Sequence, residues 1–460
     1  MYKMSKKLQL TAIILMIVGA VGLIYSFVST PASVQEVEEM LAHDEHHGEH
    51  ETSATHQSGM KQNHENSNHE NEAKHTSDDS HNKSHAETDG HEKSHAEHVY
   101  DQLKNKPWSA IYTSSLFFFL IALGAFTFYA IQNASQAGWS PVIFRVMEGI
   151  SKFILPGGII VFVILVLSTL QLNHLFIWMD PSIVEHDEII SNKTGYLNDS
   201  FFLIRAAIYI VGWVLLSRVI VKNSRKQDEN PSLKLHKKNF KLSAIYLVFF
   251  IVTESMMSWD WIMSIDTHWF STLFGWYVFA SMFVAGITTI ALVTIYLKSR
   301  GYLEFVNNSH IHDLAKFMFG ISIFWTYLWF SQFLLIWYSN IPEEAVYYIA
   351  RFNDYQLPFL GMVALNFIFP LLVLINSDFK RVNWIIVMSG IVILIGHYLN
   401  FFVMIMPGTV GESWFIGIPE ISSILLILGL FIFVVFKAIS SVPLLAKNNP
   451  YIKESKHFHY

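Results

Sequence analysis

Ten long apolar runs are the feature that most limits what this chain can fold into. They cover residues 8–28, 108–131, 153–172, 201–221, 242–263, 271–297, 314–338, 358–376, 383–406 and 418–438. Each run reaches the roughly 20 residues that an α-helix needs to cross the ~30 Å hydrocarbon core of a bilayer. Only 15% of the residues are charged, whereas soluble domains average roughly a quarter. The sequence therefore predicts an all-α polytopic membrane protein with about ten transmembrane helices, spans one to ten.

The first run needs to be distinguished from a cleaved secretory signal, because Lys3, Lys6 and Lys7 precede it. Its apolar stretch of about 20 residues is longer than the ~7–15 residues of a signal sequence. We therefore expect residues 1–35 to form a retained transmembrane anchor.

An acidic, histidine-rich insert follows span one at residues 36–106. It holds 17 of the 37 acidic residues, 6 of the 31 basic residues and 13 of the 22 histidines. Because such a composition buries too little apolar surface to offset chain entropy, we expect the insert to be disordered. Its histidines, such as His43, His46, His47 and His50, form at most a weak metal or proton-binding tract. A solvated tether is the alternative interpretation.

The distribution of lysine and arginine predicts the orientation of the chain. One set of alternate flanks and short loops carries 22 of these residues, and the opposite set carries only Lys193 and Arg351. Basic residues are retained on the cytoplasmic side, and long loops are exempt from this rule. We therefore predict a bacterial inner-membrane protein with both termini cytoplasmic and residues 36–106 periplasmic.

Three ionisable residues within the spans are candidates for a proton path, because charges at membrane depth are costly. Glu254 lies near the middle of span five, Arg205 near one end of span four, and His397 within span nine. Glu254 either relays protons or donates a hydrogen bond between helices. Arg205 either pairs with a carboxylate or extends to the membrane surface. For His397, a hydrogen-bonded packing role is the alternative.

Two further groups of polar residues stand out. Asp260, Asp266 and His268 lie where span five ends, and they could pass protons to the aqueous phase, dock a partner or form a solvated loop. Span seven places four residues on one helical face, a stripe that could line a quinone or lipid cavity or simply pack as an aromatic helix. These residues are Ser322, Trp325, Trp329 and Gln332.

Several chemistries are excluded by residues that the sequence lacks. There is no cysteine, which excludes disulfides, thiolate-bound iron–sulfur clusters and attached c-type haem. We find no nucleotide-binding glycine loop and no nucleic-acid-binding pattern. No firm metal site is expected, and any redox cofactor would be held by partner proteins.

Two stretches carry a family resemblance. Residues 258–277 read SWDWIMSIDTHWFSTLFGWY, and residues 324–344 read FWTYLWFSQFLLIWYSNIPEE. Together they resemble the ActF-type, NrfD/PsrC-like integral-membrane subunit of alternative complex III, also called quinone-binding subunit 2 of a quinol:cytochrome c oxidoreductase. The resemblance covers spans one to ten, with residues 36–106 outside it.

This resemblance implies two four-helix bundles, spans two to five and spans six to nine, with spans one and ten peripheral. The implied divisions are 1–35, 36–106, 107–270, 271–406 and 407–460. It also implies a complex in which a sister NrfD-like subunit oxidises quinol, while an Fe–S protein and a multihaem cytochrome c hold the clusters and haem. This chain would bind no cofactor and would contribute to proton movement and assembly. A secondary ion or solute transporter and a purely structural membrane scaffold are the alternatives.

Overall fold

The computed structural model describes residues 2–40, 42 and 84–459. Within these residues the secondary structure is helical, with no strand, and ten helical segments are long and apolar enough to cross a membrane. These segments are Lys6–Val28, Val99–Ala134, Pro141–Thr169, Asp199–Glu229, Leu233–Ile265, Phe274–Ser299, Asn308–Ser339, Gln356–Leu374, Asn383–Ile405 and Ile418–Ser440. The ten predicted spans and the all-α class are therefore confirmed.

Contacts divide the chain into two units. One consists of Met1–Ser26 with Asn105–Tyr460, and the other is Phe27–Lys104. In the second unit, residues 84–104 are helical and continue directly into span two as one helix, Ser84–Ala134. Of the insert at 36–106 that was expected to be disordered, residues 36–40 and 84–106 are helical in the described part of the chain. Extending an existing helix adds one hydrogen bond per residue without a new nucleation cost, so polar residues such as these can join it.

Spans two and six are the most buried of the ten described spans. They meet through glycines: a Cβ on Gly286 would lie 2.5 Å from the Ala125 nitrogen, and one on Gly124 only 2.3 Å from the Met282 oxygen. Helix backbones approach this closely only where a side chain is absent. The two helices therefore form the centre of the molecule.

Spans two to five form one group and spans six to nine a second, and span five also packs against span six. In the first group Phe119 contacts Trp213, and Phe126 meets Tyr246 with ring centroids 4.8 Å apart. In the second, span six packs against spans seven and nine, and span eight packs against span nine. Span one is largely exposed and contacts span ten, where a Cβ on Gly19 would lie 2.4 Å from the Leu426 nitrogen.

The connections gather at two ends of the helices. The loop end comprises residues 170–198, 262–273, 340–355 and 406–417, which are linked by contacts such as the Tyr355 hydroxyl donating to the Gly411 carbonyl. The tail end comprises residues 135–140, 230–232, 300–307, 375–382 and 441–459. There the Ser455 hydroxyl donates to the Trp139 carbonyl at 2.6 Å. Short helices occupy both ends: Pro181–His186, Glu188–Ser191, Pro342–Asn353, Pro407–Val410 and Ile452–Lys456.

Candidate functional site

The predicted face of span seven forms a row of polar atoms inside the protein. Ser322, Trp325 and Gln332 are buried, and Trp329 is half-buried. Ser322 Oγ, both indole Nε1 atoms and Gln332 Oε1 find no hydrogen-bond partner among the described residues. The indole rings of Trp325 and Trp329 are nearly parallel, with centroids 6.5 Å apart. The stripe is therefore aromatic, and its polar atoms lack hydrogen-bond partners within the described residues.

His397 joins this stripe from span nine. Its ring meets Trp325 edge-on at a centroid distance of 5.4 Å. The imidazole is fully buried, and neither ring nitrogen has a hydrogen-bond partner in the described part of the protein. The alternative of a hydrogen-bonded packing histidine therefore has no hydrogen bond to support it among the described residues.

Span eight contributes Asn366, which the sequence interpretation missed. A single π-helical turn, Ala364–Ile368, places it against Gly396, where a Cβ would lie 2.3 Å from Asn366 Oδ1. Both polar atoms of the Asn366 side chain lack a partner among the residues described. We call Ser322, Trp325, Gln332, Asn366 and His397 the buried polar cluster. The sequence signal that could have identified Asn366 was its position as a polar residue within an otherwise apolar run.

A satisfied network lies directly beside the buried polar cluster. The Tyr277 ring stacks on Trp325 at 5.9 Å, and the Tyr277 hydroxyl donates to Asn400 Oδ1. The Asn400 amide in turn donates to Ser281 Oγ at 2.8 Å. Neighbouring polar groups in the same helices therefore do find partners, so the cluster is a local feature.

Besides the buried polar cluster, Glu254 is a second buried site with a polar atom that lacks a hydrogen-bond partner in the described part of the chain. It is only 3% exposed and therefore faces protein, not lipid. Its Oε1 has no hydrogen-bond partner among the described residues. Ser258, one turn further on, donates instead to the Ser255 carbonyl at 2.7 Å. Because an unpaired carboxylate is costly in an apolar interior, this position suits a group that gains and loses a proton.

Arg205 and Asp260, both predicted for the proton path, form a buried ion pair with each other. The guanidinium donates to both carboxylate oxygens, Nε at 2.8 Å and the terminal nitrogen at 2.9 Å. The Tyr209 hydroxyl adds a third hydrogen bond to Asp260 at 3.1 Å. Burial and the neighbouring Asp260 carboxylate raise the pKa of Tyr196, whose ring lies under the guanidinium, to about 12. The charges of Arg205 and Asp260 therefore compensate each other inside the protein.

Asp266 and His268 lie at the loop end and connect different loops. Asp266 is 3.9 Å from Arg351, and His268 Nε2 is 2.6 Å from an Asp187 carboxylate oxygen. The backbone N–H of Ile190, together with His268, lowers the pKa of Asp187 below its usual value. Nearly half of the His268 side chain is exposed. These residues are remote in sequence from the buried polar cluster, and no contact joins them to it among the interactions described.

A buried ionic cluster at the tail end was not predicted. Arg145 lies 2.5 Å from Glu148 and also pairs with Asp228. Glu148 accepts further hydrogen bonds from Ser224 at 2.6 Å and from Tyr129 at 3.1 Å. Arg145 is one of the 22 basic residues of the flanks and short loops that predict the orientation. The available signal was an acidic residue three positions after an arginine, which places the two on one helical face.

The described residues contain no evident metal site. Among them, no group of three or more histidine, cysteine, aspartate or glutamate side chains could hold a metal ion. The tract that includes His43, His46, His47 and His50 lies outside the described residues.

Neither models of known protein families nor the curated proteins give a match to this chain. Its function is therefore inferred from Glu254 and the buried polar cluster.

Proposed function

We propose that this chain is a cofactor-free membrane subunit of a respiratory quinol:cytochrome c oxidoreductase of the alternative complex III type. In this proposal it lies in the bacterial inner membrane with both termini cytoplasmic and residues 36–106 periplasmic. A sister NrfD-like subunit oxidises quinol, an Fe–S protein and a multihaem cytochrome c carry the electrons, and this chain moves protons. The resemblance of residues 258–277 and 324–344 supports the type of complex, and the buried polar cluster is the observation that supports a part in proton movement.

The chemistry of the buried polar cluster suits proton movement. The Ser322 hydroxyl and the His397 imidazole have no partner among the described residues but are chemically able to donate and to accept a hydrogen bond, and imidazole can also carry the proton. Leaving a buried polar atom without a partner costs about 1–3 kcal/mol, so several together indicate a function or internal water. Buried waters with two to four polar partners commonly fill such sites. Water in the cluster would supply the missing hydrogen bonds and a route for protons.

The same groups fit a quinone head group. Trp325 Nε1 is a donor for a quinone carbonyl, and Gln332 Oε1 is an acceptor for a quinol hydroxyl. Because this chain is proposed to hold no redox cofactor, quinol bound here would pass its two electrons to the clusters and haem of the partner subunits and release two protons. The residues of this chain would orient the head group and accept or release protons, and the aromatic faces of Trp325 and Trp329 would exclude water.

A secondary ion or solute transporter is the second candidate. Span eight is interrupted at Ala364–Ile368, and π-helical turns within helices occur frequently at functional sites. Transporters bind substrates at interrupted helices near the middle of the membrane. Asn366 and His397 would then belong to a substrate site. A purely structural scaffold accounts for the paired charges of the chain but leaves Glu254 and His397 unexplained.

Purification of the tagged full-length chain from its native membranes tests the proposal. We expect it to co-purify with an iron–sulfur protein and a multihaem cytochrome, visible as stoichiometric haem absorbance and quinol-dependent cytochrome reduction. An untagged preparation is the control. Isolation of the chain alone, with substrate uptake into proteoliposomes, would overturn the proposal in favour of a transporter.

A further inference from the structure

Spans two, six, nine and ten enclose an apolar groove that is separate from the buried polar cluster. Its volume is about 490 Å³, within the 300–1,000 Å³ range of ligand sites. The wall consists of aliphatic and aromatic side chains, including Phe118, Leu292, Ile395, Leu428 and Phe431. All four helices belong to the membrane-crossing part of the chain, so the surrounding medium is hydrocarbon.

Two of the three polar side chains in the wall of this groove are hydrogen-bonded elsewhere. The Thr289 hydroxyl donates to the Ala285 carbonyl at 2.9 Å, and the hydroxyls of Tyr398 and Ser114 are 3.3 Å apart. The third, Tyr296, lies at the tail end of the groove, so the rest of the wall does not offer water or a quinone head group the free donors and acceptors found in the buried polar cluster. Its chemistry favours an aliphatic occupant.

The length of the groove matches one leaflet of a bilayer. Its wall on span ten runs from Ile424 to Phe436, which at 1.5 Å per residue is ~18 Å. Half of a ~30 Å hydrocarbon core is ~15 Å. The groove ends toward the tail end, where the rings of Phe436 and Tyr296 lie 5.3 Å apart.

Arg300 lies at this end of the groove, and Lys437 directly follows Phe436, the last wall residue on span ten. The ring that Lys437 contacts, Phe433, is not part of the wall. The Arg300 guanidinium lies 5.6 Å from the centroid of the Tyr296 ring, and Lys437 Nζ lies 5.3 Å from that of Phe433. Both basic residues are exposed. Basic pockets between transmembrane helices bind anionic lipid head groups.

We propose that this groove binds an acyl chain of an anionic phospholipid, with the phosphate held by Arg300 and Lys437. The proposal is independent of any role in quinol oxidation. It explains why an apolar groove of this length opens beside two exposed cations.

Native mass spectrometry of the purified full-length chain tests the proposal, with phosphatidylglycerol and phosphatidylcholine offered in equal amounts. We expect one phosphatidylglycerol to be retained. Leu292→Trp, which fills the groove, should reduce retention at least tenfold. Val248→Trp is the matched control, because Val248 is 70% exposed on the lipid-facing surface, and it should retain the lipid.

A second variant tests the head-group site without altering the groove. The double substitution Arg300→Gln and Lys437→Gln should abolish the preference for phosphatidylglycerol, whereas Lys241→Gln, another exposed charge near the same end, should keep it. Equal retention by wild type and Leu292→Trp, or an unchanged preference in the double variant, would overturn the proposal. So would an isoprenoid quinone found in place of the phospholipid.

Discussion

Glu254 and Asp260 lie six residues apart on span five and have opposite surroundings. Asp260 accepts hydrogen bonds from Arg205 and Tyr209, so its charge is held in place. Glu254 is buried with Oε1 unpartnered among the described residues. Removing one partner of a buried ion pair leaves the other charge uncompensated, whereas a lone carboxyl can change its protonation without disturbing a partner. Of the two, only Glu254 suits proton transfer.

Asp187 gives the loop end a dependence on pH. Its carboxylate accepts hydrogen bonds from the N–H groups of Ile189 and Ile190 and lies beside His268, and its pKa is lowered. A lowered carboxyl pKa contributes stability above the ordinary value of about 3.9, and that contribution is lost as the pH falls through the lowered pKa. We expect hydrogen-exchange protection of both amides to decline only below pH ~4.

Alanine variants separate this effect from general acid unfolding. Asp187→Ala should increase the exchange of both amides already at neutral pH. Asp180→Ala removes the cap of the preceding short helix, where Asp180 accepts from the Ser182 N–H at 2.9 Å, and should leave Ile189 and Ile190 protected. An Asp187→Ala profile identical to that of wild type would contradict this role.

At the scale of the helices, the contact between spans two and six depends on two glycines. A Cβ on Gly286 would approach the Ala125 nitrogen to 2.5 Å, and backbone cannot move aside as a flexible side chain can. We expect Gly286→Ala to destabilise the protein by about 1–3 kcal/mol, the usual cost of overpacking. A thermal unfolding curve in detergent measures the change.

Gly320 provides a matched control in span seven, because a Cβ there meets nothing within 4 Å. Gly320→Ala should leave the stability unchanged or raise it by up to about 1 kcal/mol, since alanine is the better helix former. Equal unfolding temperatures for the two alanine variants would show that the contact between spans two and six is not close.

Hydrophobic length predicted all ten spans, because the bilayer sets the number of apolar residues that each needs. Helix ends were less predictable. The helix of span two begins at Ser84, far before its apolar residues, since helix extension does not require apolar side chains. Span three is divided by a 3₁₀ turn at Ser151–Phe153, which separates the α-helical segments Phe144–Ile150 and Ile154–Thr169.

The candidate site was predictable only in part. Helical periodicity placed Ser322, Trp325 and Gln332 on one face correctly. It could not show that Asn366 and His397 approach this region from other spans, since that depends on tertiary packing. The same limit applies to pairs such as Arg205 with Asp260, whose partners are 55 residues apart.

At the scale of the whole molecule, two basic residues, Lys193 and Arg351, lie on the side whose short loops otherwise lack lysine and arginine. Both make specific contacts within the protein. Lys193 donates to the Thr267 carbonyl, and burial lowers its pKa. Arg351 is buried, donates to the Tyr347 carbonyl at 2.7 Å and stacks on the Tyr347 ring. Both residues connect loops at the loop end. Their presence there therefore does not weaken the predicted orientation.

The proposed function requires that buried groups without hydrogen-bond partners among the described residues, such as Glu254, carry protons in the membrane. Replacing Glu254 with glutamine keeps its size and removes its charge, and Glu304→Gln is the control because Glu304 is exposed at the tail end. The decisive measurement is the number of protons translocated per electron by the purified complex in vesicles. We predict that Glu254→Gln lowers this ratio while the complex remains assembled and Glu304→Gln matches wild type. An unchanged ratio in an assembled Glu254→Gln complex would contradict the account.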